Sequence, residues 1–477
     1  MAVEPQDSPG VGVDEWVARS GERREYLPGW RGDAQRALER LGWWPRLAIA
    51  TAVGVFIPLV LGLNSFQLQV GIDALLLAIL SLGLNVSVGW AGLLDLGYIA
   101  FYGFGAYGFA LLSSSQLNPP HGIHWPAYFS IPVVMIAAGV LGILVGLPSR
   151  RLIGDYLAIV TLFFGEAFVE FTNNVATSKL GGPNGIIGLD SLHGAGIQIT
   201  SLKGYFFVLL GLLVLSMIVL HMLDTSRMGR AWRAVREDPL AASVMTVPVN
   251  RVKLMAFAIG AMIAAMAGAV FASQQSNVFP PNFDTPLLIL VYAALILGGA
   301  GSMSGAVLGG LVVSIVLDGF LRSPTEAGYI FYGVIVISLV VKLRPWTKLA
   351  AVLGGTIAFG FVVHAIVSAF SSSAVAGNSG STTWADLHFA IVPANPTLFG
   401  NIGFVALLCL VVALVQVKGH WRTLLMVPTL YLASCVWEAR LVTVPAVTRL
   451  ILLGGILIVV MNARPAGLLG ARRVEII

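Results

Sequence analysis

The chain has 477 residues, 57% of them hydrophobic and only 11% charged, with a mean hydropathy of +0.87. Soluble domains carry roughly 25% charged residues, so this composition excludes a string of soluble domains and implies a polytopic membrane protein. The net charge of +5 is read as basic loops on one side of a bilayer, not as a nucleic-acid surface.

Residues 1–45 are polar and rich in Asp, Glu, Arg, Pro and Gly, with no apolar h-region. They are expected to form a cytoplasmic tail rather than a cleaved signal peptide, with an interfacial helix through "DAQRALERLGWWPRL". Apolar runs close to the ~20 residues that cross a bilayer follow at 46–63, 68–88, 97–113, 125–147, 155–173 and 204–222. Others occur at 252–272, 285–300, 304–320, 329–343, 349–370, 399–417, 423–437 and 444–461. The segments 285–300 and 304–320 read as two spans, or else as one hairpin or broken helix. Cys409 and Cys435 fall inside apolar runs, which gives no disulfide framework and no zinc spacing. With the N-terminus inside, 23 of the 28 Lys and Arg fall on the cytoplasmic side. An incorrect span count would scramble that asymmetry.

The largest cytoplasmic loop between spans, 223–250, holds Arg227, Arg230, Arg233 and Arg236 at three-residue spacing, followed by Glu237, Asp238 and Pro239. This pattern predicts a short helix with a basic stripe and a second helical turn beginning at Pro239. A polybasic stripe alone fits anionic lipid headgroups. The acidic pair behind it favours a cytoplasmic protein partner.

Five stretches occur in a recognisable order: "LGLNVSVGWAGLLDLGYIAFYGFGAYGFALL" (82–112), "GDYLAIVTLFFGEAF" (154–168), "GGPNGI" (181–186), "GRAWRAVREDPLAA" and "LGGAGSMSGAVLGG" (297–310). In these the chain resembles the inner-membrane permeases of branched-chain amino acid ABC importers, on the LivM side of the LivH/LivM family, over roughly residues 68–345. The resemblance implies an all-α polytopic membrane protein with about ten core spans, joined here by about three to four extra C-terminal spans. It implies a second homologous permease subunit, two cytoplasmic ABC ATPases and an extracytoplasmic substrate-binding protein as partners, in the bacterial inner membrane with both termini cytoplasmic. It implies no cofactor, metal, catalytic residue or nucleic acid. The glycine-rich "GGAGSMSGA" lacks the Gly-Lys-Ser/Thr ending of a phosphate loop, so ATP hydrolysis is expected on a separate polypeptide.

By the same resemblance the ATPase-coupling residues are Gly229, Arg230, Arg233, Arg236, Glu237, Asp238, Ala241 and Ala242. The outer loop is Gly181, Gly182, Pro183, Asn184 and Gly185, and the substrate pathway is assigned to Asn85, Gly89, Gly92, Thr161 and Glu166. The chain departs from the family at Thr246-Val247-Pro248, where a Gly-containing segment is common, and at Leu180 and Val169. The family ending, an apolar helix followed by "RP" and "GLL", is read twice, at 332–346, which carries the helix and "RP", and at 452–470, which carries all three. The expected divisions are therefore the tail 1–45, the permease domain 46–346, an inserted block 347–448, and a final helix with basic C-terminus, 449–477.

Ionisable residues inside spans are functional candidates. Glu166 and Glu170 lie one helical turn apart and share a face. Glu170 is expected to be solvated beside Asn173 and Asn174 at the outer interface, with Glu166 deeper in a polar role. Asn85 and Ser87 are placed for hydrogen bonds across helices, and Asp95 is expected at a wet cytoplasmic end. The resemblance also extends to a urea or short-amide ABC permease, and Glu166, Glu170 and Asp318 motivate an alternative of another class, an ion-gradient-driven transporter or proton-channel subunit.

Overall fold

A computed structural model of the chain describes residues 42–60, 62–114, 123–150, 155–321 apart from 176 and 195, 346–370, 389–393, 396–443 apart from 418, and parts of 328–340 and 450–469. Most of the expected tail and the stretch "SSSAVAGNSGSTT" (371–383) lie outside these residues. Among the described residues nine helices are long and apolar enough to cross a membrane, with two shorter apolar helices beside them. The all-α polytopic architecture is therefore present.

The chain divides into two units, 1–63 and 64–477. The first contains α1 (Trp43–Val60), whose Ile49, Val53, Phe56 and Leu59 are exposed. In the second, α2 (Ser65–Leu84) begins with a capping box in which the Gln67 side chain accepts the Asn64 N–H, and it ends in a π-helical turn, Asn85–Trp90. Next come α3 (Tyr98–Leu112), α4 (Ala127–Gly146), α5 (Asp155–Asn174) and α6 (Leu202–Thr225). The loop helices α7 (Arg227–Glu237) and α8 (Pro239–Val244) precede α9 (Val249–Gln275). The runs 285–300 and 304–320 form a helical hairpin, α10 (Thr285–Gly298) and α11 (Met303–Ser314), with a second π-helical turn at Ile315–Phe320.

Long apolar helices gain little hydrophobic energy from meeting one another in lipid, so close backbone approach through small residues holds them. At the contact of α3 with α9, a side chain on Gly105 would strike the Ala265 backbone and one on Gly268 the Tyr102 backbone. Gly310 brings α11 equally close to Ala78 of α2. These contacts make α2 and α9 the most deeply buried spans.

At the end of the helices remote from α7 and α8, short antiparallel strands close the loops. β1 (Ser113–Ser114) pairs with β2 (Ile123–His124), β3 (Ile186–Ile187) with β6 (Asn277–Val278), and β4 (Leu192–Gly194) with β5 (Ile197–Ile199). Tyr205 accepts the Leu192 N–H and hydrogen-bonds Ser273, tying these strands to α6 and α9. The His124 imidazole meets the Asp190 carboxylate at 2.6 Å.

The C-terminal half adds α12 (Trp346–Phe370), α13 (Pro396–Gln416) and α14 (His420–Thr443). Tyr431 and Cys435 of α14 share a small core with Ala390 and Val392. α14 also grips the chain that precedes the block: the Tyr332 hydroxyl donates to the buried Glu438 at 3.0 Å, and Phe331 stacks on Trp437 at 4.1 Å. Beyond the block, Leu468 N–H and Leu469 N–H donate to the Leu297 and Gly298 carbonyls at 2.8 and 2.9 Å. The "GLL" of the final ending therefore fastens onto the α10–α11 hairpin.

Candidate functional site

The loop between α6 and α9 is built by its own caps. Ser226 accepts the Met228 N–H to start α7, and Asp238 accepts the Leu240 and Ala241 N–H groups at 2.7 and 3.1 Å to start α8, with Pro239 in its first turn. Gly229 is buried where α7 folds back against the Asp224 backbone, too close for a side chain.

The expected single basic stripe needs correction. Arg227, Arg230 and Arg233 are exposed, and Arg233 pairs with Asp224 at 2.7 Å. Arg236 instead turns inward, and its guanidinium donates to the Gly89 carbonyl. Residues three apart on an α-helix drift by roughly 60° per step, so four arginines at that spacing sweep about half the circumference. Glu237 and Ala241 are exposed and Ala242 is buried. The tip of α8 carries what the charge pattern concealed: Leu240, Val244 and Met245 are 77%, 77% and 76% exposed.

Behind α7 lies the irregular segment that follows α2. Trp232, fully buried, donates to the Val252 carbonyl at 2.9 Å and stacks on Trp90 with ring centroids 5.8 Å apart. The Asn85 Oδ1 accepts the Gly301 N–H at 2.8 Å, while the Trp90 indole donates to the Gly301 carbonyl at 3.2 Å. Gly92 and Gly301 have positive φ, and a side chain on either would meet Arg236. Asn85, Gly89, Gly92 and Arg236 thus gather at one knot with Gly301. Sequence alone does not single out Trp90, Trp232 and Gly301, although Trp90 next to Gly89 and Trp232 three residues after Gly229 are a visible signal.

Asp95 is also corrected. It is 2% exposed rather than wet, because Tyr292 bonds both its N–H and its carbonyl, at 3.1 and 2.8 Å. It lies in the turn between α2 and α3. Burial pushes its carboxyl up to about 7, opposed by the hydrogen bond from the Gly97 N–H. One residue further on, the Leu96 N–H donates to the Thr161 hydroxyl of α5 at 3.0 Å.

Glu166 accepts the Thr285 hydroxyl and shares a small notch with Leu96, Ile99, Gly165 and Phe283. Its side chain belongs to an open stripe of α5 that also carries Tyr156, Ile159, Phe163, Glu170 and Asn174. Asn174 donates to Glu170 at 2.6 Å. At the strand-bearing end, Gly181 through Gly185 form a tight 3₁₀ turn with positive φ at Gly181, Gly182 and Gly185. Pro183 and Asn184 are exposed at its crest. Among the described residues no three His, Cys, Asp or Glu are grouped to hold a metal ion.

Residues 66–340 match the family model described as branched-chain amino acid transport system / permease component. The chain is 36% identical over 298 residues to the high-affinity branched-chain amino acid transport system permease protein LivM of Escherichia coli K12, covering 57% of this chain and 68% of that protein. Salmonella typhimurium LivM gives the same identity and coverage. The Escherichia coli K12 permease LivH of that name is 27% identical over 257 residues, 50% of this chain and 79% of its own. No solved structure matches the chain. A family match over more than half the chain, joined to this helical architecture, places the protein in the branched-chain amino acid transport permease family.

Proposed function

We propose that this chain is the permease subunit of an ATP-driven importer of branched-chain amino acids in the bacterial inner membrane, with both termini cytoplasmic. The observation that carries the reading is the α7–α8 loop. It ends in an apolar tip, Leu240, Val244 and Met245, beside exposed Arg227, Arg230 and Arg233. A purely lipid-bound basic patch has no use for the Asp238 cap that holds α8 out as a separate knob. A groove on an ATPase accounts for both the knob and the charges.

The α5 stripe is assigned to the boundary with a second, related permease, and the pathway to the notch at Glu166. A carboxylate facing lipid at mid-membrane costs about 2.5–3.5 kcal/mol, so the exposed Glu166 calls for a polar partner face or a wet channel. Relatives called LivM and LivH both align with the chain, which supports pairing with a paralogue. Thr161, Gly89 and Gly92 then lie at the inner end of that pathway. The turn 181–185 is the natural seat for an extracytoplasmic binding protein. The tail 1–45 and the block 347–448 stand outside the permease core in this reading.

The test is uptake of labelled leucine into proteoliposomes that hold the chain with its paired permease and ATPases, with binding protein added outside. Accumulation that requires internal ATP is expected. Uptake driven equally well by a proton or sodium gradient without ATP would overturn the proposal.

A further inference from the structure

One irregular segment, residues 85–97, touches both the α7–α8 loop and the Glu166 notch. On the loop side, Trp90 stacks on Trp232 and the Gly89 carbonyl receives Arg236. On the notch side, Leu96 forms part of the wall beside Glu166 and is held by the Thr161 hydroxyl. Between them the backbone leaves α-helical geometry as a π turn at Asn85–Trp90 and then takes a positive φ at Gly92. Single π turns inside α-helices concentrate at functional sites. A segment with few regular backbone bonds between two packed helices is the part of such a structure that has a second arrangement available.

The fixed side of the segment is equally defined. Gly301, in the turn between α10 and α11, accepts the Trp90 indole and donates to Asn85. Among the described residues the Asn85 Nδ2 is buried with no hydrogen-bond partner. A buried unsatisfied donor is unfavourable, and it marks a place where a rearranged turn would gain a bond. The same hairpin is also bound by Leu468 and Leu469 at the α10 end of its turn, so the α10–α11 turn is anchored independently of residues 85–97.

We infer that Trp232 and Arg236 are positioning residues that carry displacement of the α7–α8 loop into residues 85–97, and that this segment is a hinged gate controlling the inner side of the Glu166 notch. The inference rests on the docking of that loop on an ATPase and goes beyond it by naming what the loop moves. Trp90 provides a flat bearing surface for the Trp232 ring. Arg236 grips a backbone carbonyl, so its hold does not depend on which side chain occupies position 89. Packing at Gly92 and Gly301 leaves no room for slack between the arginine and the turn.

The experiment uses the complete complex in proteoliposomes, with Cys409→Ala and Cys435→Ala and a reporter at Leu96→Cys. The rate of maleimide labelling is compared in the nucleotide-free and ATP-vanadate-trapped states. A change of at least tenfold on trapping is expected for the reporter alone. It should vanish in Trp90→Leu and return in Trp90→Phe, with the ATPase still co-purifying and hydrolysing ATP. Arg236→Lys, which keeps the charge without disturbing the buried ring pair, should cut the change severalfold and lower leucine taken up per ATP. An undiminished labelling change in both Trp90→Leu and Arg236→Lys overturns the inference, as does a reporter that never responds while the ATPase remains bound. Failure of the ATPase to co-purify with the reporter chain removes the docking reading itself.

Discussion

Thr246 is a β-branched residue with φ of 64° in the turn that leads out of α8. Left-handed geometry costs an ordinary L-residue roughly 1–2 kcal/mol, and asparagine tolerates it better. Thr246→Asn is therefore expected to raise the stability of the purified permease by about 1 kcal/mol, read as a higher unfolding midpoint, while Thr246→Val gives no gain. Asp95 makes a second, pH-dependent case. Its folded carboxyl sits at about 7 against an ordinary value of 3.8, so the folded state holds the proton over that window. Stability is then complete below the ordinary value and lost as pH rises through about 7, with a slope no steeper than about 1.4 kcal/mol per pH unit. The tyrosines facing it, Tyr98 and Tyr292, offer no positive charge to offset ionisation. Asp95→Asn should flatten the decline in melting temperature between pH 5 and 8. An identical decline in both proteins would contradict the assignment.

At the scale of elements, α3 and α9 meet backbone to backbone at Gly105 and Gly268, whereas Gly211 on α6 has nothing within 4 Å of where a side chain would start. Forcing bulk into a packed contact costs about 1–3 kcal/mol or more. Gly268→Ile should therefore sharply reduce the amount of folded chain in the membrane, while Gly211→Ala should leave it unchanged, as measured by fluorescence-detected size exclusion. Helices of this kind were legible because span length and apolar composition dictate them. The loop that holds α7 and α8 was half legible. Asp238 followed by Pro239 announced the start of α8, but the arginine spacing suggested one face where helical drift turns Arg236 inward. The knot around Gly301 was not legible, since it joins residues more than 200 positions apart and no local periodicity records such a meeting. Asp95 misled for the same reason: its neighbours in sequence look like a span end, while Tyr292, which bonds its backbone, comes from a helix almost 200 positions away.

For the whole molecule, the duplicated ending acquires a physical meaning. The backbone bonds of Leu468 and Leu469 to α10 show that the final ending engages the hairpin. A chain lacking 346–465, with Pro345 joined to Ala466, restores an ending of "RPAGLLG" directly after the tenth core span. It also removes an even number of expected crossings, so orientation is preserved. This chain should retain measurable leucine uptake. Adding Gly467→Val should abolish it, because a side chain there meets the Gly299 backbone. Loss of uptake from the deletion alone, with normal membrane insertion, would instead make α12–α14 part of the transport core.

Whether α7 and α8 lie in the cytoplasm and seat on an ATPase is decided by a single cysteine. Met245→Cys, introduced after Cys409 and Cys435 are replaced by alanine, is treated in intact cells with an impermeant maleimide and, separately, with a short membrane-permeant bifunctional crosslinker. No labelling from outside and a crosslinked product with the ATPase are expected. Labelling by the external reagent in intact cells would contradict a cytoplasmic α7 and α8.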